Sequence, residues 1–344
     1  MAYAKVQTRG VPGVAVAIVA AVILVGATPA DAQTYLRSIT GTGVNQLDEP
    51  IGVAVDTANN SNVLVADSSN QRIQVFSATG TYIRTIGSSA TINDPYGVAV
   101  DTANNSNVLV ADLTNSRVEV FTATGGFLYN ITGTGANTLG EVTGVAVDTA
   151  NSSNVLVADY GNSRIQVFTA AGNYVRTIGS GTIGLPSGVA VDTANGSNVL
   201  VLDNNRVDVF SATGNLIRSF TPTGANALSG PLGIAVDTAN GSNVAIGDGY
   251  NNRVQMFSAT GSFVRTIAGT GANALNFAAG VAVDTANGSN VLVADMHNNR
   301  VQVFTDSFSS PAPVVVPALG PWAILALALL LGTAGYFVLR YRHA

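Results

Sequence analysis

Six aspartate and arginine pairs recur along the chain: Asp67 and Arg72, Asp112 and Arg117, Asp159 and Arg164, Asp203 and Arg206, Asp248 and Arg253, and Asp295 and Arg300. A carboxylate a few residues before a guanidinium makes a charge-assisted hydrogen bond that ties a short loop together. Sixfold repetition marks this as framework, because a catalytic pair needs one copy. The fourth pair departs, its loop being two residues shorter. A second sixfold set, Asp56, Asp101, Asp148, Asp192, Asp237 and Asp284, opens the word Asp-Thr-Ala-Asn-x-Ser-Asn. Oxygen-rich loops of this kind hold calcium when several carboxylates converge. One carboxylate per loop is few, and Asp, Asn, Ser and Gly are also the ordinary residues of turns, so turn and calcium loop stand as alternatives. The Asn-x-Ser triplets that begin at Asn59 and its five equivalents match a glycosylation acceptor in form alone.

Acid-base and metal chemistry find little else to use. The chain has no cysteine, which excludes thiolate metal sites, cysteine nucleophiles and disulfide scaffolds. Between the two ends the one histidine is His297, too few for a histidine-rich zinc site or a Ser-His-Asp triad. Glu49, Glu119 and Glu141 are the only glutamates. Glu119 falls inside a strand, whereas Glu49 and Glu141 precede strands and are the acids placed to offer oxygen ligands to a metal. No metal or other cofactor is expected.

The elements that must position these residues follow from a repeat of 44 to 47 residues. Gly-Val-Ala-Val-Asp-Thr begins at 52, 97, 144, 188 and 280, with Gly-Ile-Ala-Val-Asp-Thr at 233. Each unit holds four short β-type runs separated by turn residues, the signature of a propeller blade. The first two runs are apolar on both faces, as in Val63-Leu64-Val65-Ala66, which suits strands sandwiched between blades. The fourth run alternates Tyr82 and Arg84 with Ile83 and Thr85 and is expected at a wet outer rim. The sixth unit lacks a fourth run, and residues 35–39, Tyr-Leu-Arg-Ser-Ile, form an orphan copy ahead of the first unit. The fold expected is all-β: a six-bladed β-propeller of four-stranded antiparallel blades, its ring closed by strand 35–39 joining the last blade, with a hydrophobic helix at each end.

The ends carry addresses. Residues 1–32 have a basic start at Lys5 and Arg9, an apolar stretch and Ala30-Asp31-Ala32 as a small-residue cleavage site, the plan of a secretory signal. Residues 33–305 are the propeller and 306–316 a Ser/Pro-rich linker. Residues 317–344 contain an uncharged run from Trp322 to Leu339, long enough to span a bilayer, ending in Arg340, Tyr341 and Arg342. With Asp31 and the four terminal bases set aside, nineteen acids face eleven arginines and no lysine, a net charge of −8. Phosphate backbones need clustered cations, so nucleic acid is excluded as a partner.

The words Pro50-Ile51-Gly52-Val53-Ala54-Val55-Asp56, Asn62-Val63-Leu64-Val65-Ala66-Asp67 and Asn70-Gln71-Arg72-Ile73-Gln74-Val75-Phe76 resemble the NHL repeat of six-bladed propellers, over about residues 34 to 305. NHL-type propellers include protein-binding, RNA-binding, sensor and enzyme domains, so the resemblance implies the fold and leaves function to the site. Related propellers that are lactonases or lyases make a metal-dependent enzyme in the channel an alternative to a binding scaffold. The tail resembles the IPTL-CTERM sorting signal, a relative of PEP-CTERM, with Pro317, Leu319 and Trp322 matching, while Val316 and Ala318 depart. That resemblance implies an exported Gram-negative envelope or surface protein, without such glycans, held by its C-terminal segment at least transiently and recognised by an exosortase-like membrane protease.

A ligand site must come from what differs between blades. The loops joining strand two to three and one blade to the next share a face and carry Leu113, Tyr160, Tyr250, Met296 and His297, with Tyr96 just before a first strand. Aromatic rings on a concave rim stack on sugars or grip a peptide. The expected partner is therefore a protein or polysaccharide on this variable face, with a spacer lacking any dedicated ligand as the contrasting reading.

Overall fold

The computed structural model describes residues 34–305, all within a ring of six four-stranded antiparallel sheets. Blade 1 runs from the axis outward as Pro50–Asp56, Asn62–Asp67, Arg72–Phe76 and Tyr82–Ile86. The inner strands of blades 2 to 6 are Pro95–Asp101, Val142–Asp148, Pro186–Asp192, Pro231–Asp237 and Ala278–Asp284. Blade 6 takes its outer strand from the start of the chain, since Tyr35–Ile39 pairs with Arg300–Phe304 in the register Arg37 to Val303 and Ile39 to Val301. This pairing removes the seam that a ring of open sheets would leave. The stretches read above as a secretory signal, a linker and a sorting tail, and the hydrophobic helix expected at each end, lie outside the described residues. Among the described residues no helix is long and apolar enough to cross a membrane.

Period-two burial explains why second strands are apolar on both sides. Val63 and Val65 pack with blade 6, whereas Leu64 and Ala66 pack with blade 2. The core is therefore not one mass but six interblade layers; the blade 2 to blade 3 layer joins Leu109, Val118 and Val120 to Val145, Val157 and Phe168. The outer strand departs from simple alternation. Tyr82 and Ile83 are both exposed, Arg84 is half-buried and Ile86 is buried. A register shift between Val75 and Phe76 turns the start of this strand, and neighbouring blades splay apart at the rim, so neither face of its first residues finds a cover.

Two sixfold rings close the propeller at its axis. The first is made of glycines 52, 97, 144, 188, 233 and 280, one per inner strand. A Cβ on Gly280 would lie 2.2 Å from the Ile51 carbonyl oxygen, on Gly233 2.7 Å from that of Ala279, and on Gly52 2.7 Å from that of Tyr96. Only glycine lets successive inner strands approach this closely. The second ring is hydroxyl to carboxylate. Ser61 donates to Asp284 at 2.8 Å, Ser106 to Asp56 at 2.8 Å, Ser153 to Asp101 at 2.7 Å, Ser197 to Asp148 at 2.7 Å, Ser242 to Asp192 at 2.7 Å and Ser289 to Asp237 at 2.8 Å. Each bond crosses a blade boundary, and all twelve residues are buried.

Glycine spacing gives a graded test. Gly144→Ala meets only contacts of 3.4 Å, whereas Gly280→Ala drives a methyl into backbone. The Gly280 variant is expected to lose about 2 kcal/mol or more in urea unfolding, the scale of core overpacking, and the Gly144 variant well under half of that. Equal losses would show that close backbone approach does not set the closure.

Candidate functional site

The repeated acids resolve into structural roles. In the Asp-Thr-Ala-Asn-x-Ser-Asn loops, one carboxylate oxygen takes the serine of the next blade and the other takes the loop's own asparagine, as in Asn59 to Asp56 at 2.7 Å and Asn287 to Asp284 at 2.8 Å. With both oxygens occupied inside a blade seam, these acids work as latches and present no converging ligand set for calcium. The latch serine sits in left-handed backbone in all six loops, between φ 53° and 56°. The residue before it does too, which is why that place holds only Asn, Ser or Gly.

The second set clamps the opposite face. Arg72 donates through Nε to Asp67 at 2.7 Å, and the equivalent bonds in blades 2, 3, 5 and 6 are 3.0, 2.8, 2.7 and 2.6 Å. Each aspartate also accepts the backbone N–H of the loop arriving from the previous blade, Asp48 to Asp67 at 2.7 Å and Asn276 to Asp295 at 2.6 Å. The remaining guanidinium N–H groups grip carbonyls of that loop, Arg72 on Val44 and Gln46, Arg300 on Ala272 and Ala274. The pairs therefore fix interblade connections as well as the hairpin. In blade 4, Arg206 binds both Asp203 at 2.7 Å and Asp208 at 3.0 Å. In blade 2, Arg117 adds Glu119 at 2.8 Å. These acids stand where the other four blades carry Gln74, Gln166, Gln255 and Gln302, and where the arriving loop lacks the Gly-x-Asn turn whose carbonyl Gln166, Gln255 and Gln302 reach. Burial pushes the Glu119 carboxyl up to about 7 against the pull of Arg117. Sequence reasoning missed this exchange of amide for acid, although the loop lengths signal it.

Among the described residues, Tyr96 is the one ionisable side chain that lines the cavity within the ring. A cavity of about 80 Å³ is lined by the glycine ring, by Val53, Val98, Val145, Val189, Ile234 and Val281 beneath it, and by Ile51, Tyr96, Thr143, Ser187 and Leu232 around it. Glu49 and Glu141 stand exposed on the rim outside this wall. Among the described residues no group of three or more His, Asp or Glu side chains comes together as a metal site.

The variable face does gather side chains. Tyr250, 71% exposed, meets Phe277 edge to face at 5.3 Å, and Phe277 meets His297 at 5.0 Å. Phe277 is a residue that sequence reasoning missed. Its backbone is left-handed, φ 63°, a conformation uncommon for an aromatic; its N–H is held by Asn252 Oδ1 at 2.7 Å. Two glycines make the room: a Cβ on Gly230 would strike the Tyr250 ring at 2.4 Å, and one on Gly249 would strike Phe277 at 2.9 Å. Tyr96, Leu232, Phe277 and Met296 are each partly buried against the blade 6 to blade 1 core. Burial pushes the Tyr96 hydroxyl up to about 12, with Asp94 and then the neighbouring Tyr160 and Tyr250 hydroxyls adding to it. Leu113 is half-buried against the loop that holds Asp94, its N–H donating to the Asp94 carbonyl at 3.2 Å.

Residues 47–76 match the NHL repeat. No curated protein matches the chain. Among solved structures, an auxiliary nutrient binding protein from Bacteroides thetaiotaomicron aligns with a TM-score of 0.60 at 11% identity, over 79% of this chain and 76% of that one. A catalytically inactive virginiamycin B lyase from Staphylococcus aureus with quinupristin aligns at 0.55 and 14% identity, over 80% and 90% of the two chains. A nidogen/laminin complex aligns at 0.54 and 22% identity, over 63% and 79%. At these identities the likeness is one of fold.

The strain at Phe277 is directly measurable. Phe277→Gly and Phe277→Ala remove the same ring, yet only alanine keeps a Cβ in left-handed backbone. The glycine variant is expected to be the more stable by about 1 kcal/mol in urea unfolding. Equal stability, or a more stable alanine variant, would contradict the strained geometry.

Proposed function

Proceeding from a six-bladed propeller that carries an NHL repeat, we propose that this chain is an exported envelope or extracellular-matrix protein whose propeller is a non-enzymatic binding scaffold. Its ligand, a protein or polysaccharide, sits on the face formed by the strand two to three loops and the interblade connections. One observation carries this reading: the frame is sixfold, and its departures from sixfold gather as Tyr96, Tyr160, Tyr250, Phe277 and His297 around one mouth. Aromatic groups on a concave surface supply large contact area at small entropic cost. The fold alone does not choose between roles, because the aligned structures include both a nutrient binding protein and a lyase.

Export rests on the sequence of residues 1–32. Retention, followed by release through an exosortase-like membrane protease, rests on Pro317, Leu319, Trp322, Arg340 and Arg342. A second reading, a spacer without a dedicated ligand, draws on the near identity of the blades and of their latches. The metal-dependent hydrolase or lyase finds no support in the channel wall described above.

Co-sedimentation of the full-length chain with exopolysaccharide and envelope fractions of the producing bacterium tests the proposal. Saturable binding that falls at least about tenfold in Tyr160→Ala with Tyr250→Ala is the expected outcome, two aromatic contacts being removed together. Binding that the double variant leaves unchanged, or no binding to any fraction, would favour the spacer.

A further inference from the structure

The rim of the mouth is chemically divided. At the position just before each inner strand, blades 1, 2 and 3 carry Glu49, Asp94 and Glu141, whereas blades 4, 5 and 6 carry Leu185, Gly230 and Phe277. Three acids on consecutive blades thus face an apolar half that also holds Tyr250. The backbone at this position is left-handed in four of the six blades, φ 48° at Glu49, 61° at Asp94, 57° at Gly230 and 63° at Phe277. Gly230 shows that a glycine fits there without strain, so glutamate and phenylalanine are held against a conformational preference, as is common where side chains serve a ligand. The frame takes little from them. Glu49 accepts one hydrogen bond from Ser69 at 2.9 Å, and Glu141 is exposed.

Among the described residues, this face offers those acids no lysine and no arginine that is not already paired with an aspartate, and His297 is its one other basic side chain. The propeller contains no lysine, and each of the six arginines on this side is bound to an aspartate, Arg206 and Arg117 to a second acid as well. An anionic polysaccharide or an acidic peptide is repelled by such a rim. A guanidinium or ammonium group is attracted to it, and is attracted again by the faces of aromatic rings.

We propose that the mouth binds a cationic peptide segment, with its arginine or lysine side chains along the rim that carries Glu49, Asp94 and Glu141 and an adjoining apolar side chain on Phe277 and Tyr250. This rests on the binding-scaffold reading and names its ligand class. Burial raises Asp94, with the Ser68 hydrogen bond opposing and Asp112 and Glu49 raising it further, so the acids of blades 1 and 2 already crowd one another, and a bound cation relieves that repulsion.

Calorimetric titration of the full-length chain tests the proposal with three uncharged-ended probes: a Gly-Arg-Trp-Arg-Gly peptide, its Gly-Glu-Trp-Glu-Gly counterpart and cellohexaose. The arginine peptide is expected to bind at one site, at least about tenfold more tightly than the glutamate peptide, and to weaken several-fold between about 50 and about 300 mM salt. Glu49→Gln with Glu141→Gln is expected to weaken it about fivefold with melting unchanged, since both side chains lie on the rim. Phe277→Gly is expected to weaken it by a similar factor and serves as the variant compatible with the local backbone. Equal or tighter binding of the glutamate peptide, or no binding of the arginine peptide, overturns the proposal. Cellohexaose binding lost on Tyr250→Ala, with no arginine-peptide binding, overturns the cationic ligand and leaves the scaffold reading intact, which the fraction assay decides separately.

Discussion

Everything in this propeller depends on how closely six inner strands approach one another around the axis. Their glycines bring backbone within reach of backbone, at separations where even a methyl group has no room in most blades. Once the strands are that near, the loop at each strand's end lies within hydrogen-bond distance of the next blade, and the serine to aspartate relay runs round the ring without a gap. A buried carboxylate is costly unless its oxygens are occupied. Here each is occupied partly by its own loop and partly by a neighbour, so no blade satisfies its acid alone. Blade folding and ring closure are thereby coupled.

The frame frees the opposite face. The aspartate and arginine clamps hold each arriving loop by its backbone N–H and carbonyl groups, leaving loop side chains free to vary. Variation is concentrated at the mouth, where acids line the rim of three blades and apolar groups that of the others. The strained Phe277, given space by Gly230 and Gly249, belongs to this second layer of organisation. The cavity below it is lined by the glycine ring and by aliphatic and hydroxyl side chains, with Tyr96 the one ionisable group among the described residues there.

Much of this was legible from residues alone, and for definable reasons. Blade number and strand order follow from a repeat whose Gly-x-Ala-Val-Asp-Thr word survives in all six copies, and closure by strand 35–39 follows from a missing and an orphan run. The pairing of Asp67 with Arg72 was visible as spacing, but its grip on the arriving loop was not, because backbone carbonyls leave no trace in a sequence. The latch was half visible: the aspartate and serine never vary while the residue between Asn and Ser does, yet a turn and an interblade bond ask for the same residues. Phe277 escaped notice because it interrupts the place where other blades carry acid, leucine or glycine, and only φ reveals it as unusual. Tyr160, Tyr250 and His297 were found by their variability, whereas the contact of Tyr250 and His297 with Phe277 required the ring to be closed.

Separating frame from site in one variant is the most direct measurement of the account. Replacing Glu49, Asp94, Glu141 and Tyr250 by serine and Phe277 by glycine erases the rim and leaves both rings and all six clamps in place. The account predicts a melting temperature within a few degrees of the parent, since none of the five side chains belongs to a ring or a clamp and relief of the left-handed strain at Phe277 offsets part of the packing its ring loses, together with loss of saturable binding to envelope fractions. A variant that binds as the parent does, or one that no longer folds, would contradict the division of this molecule into a closed sixfold frame and a single recognising face.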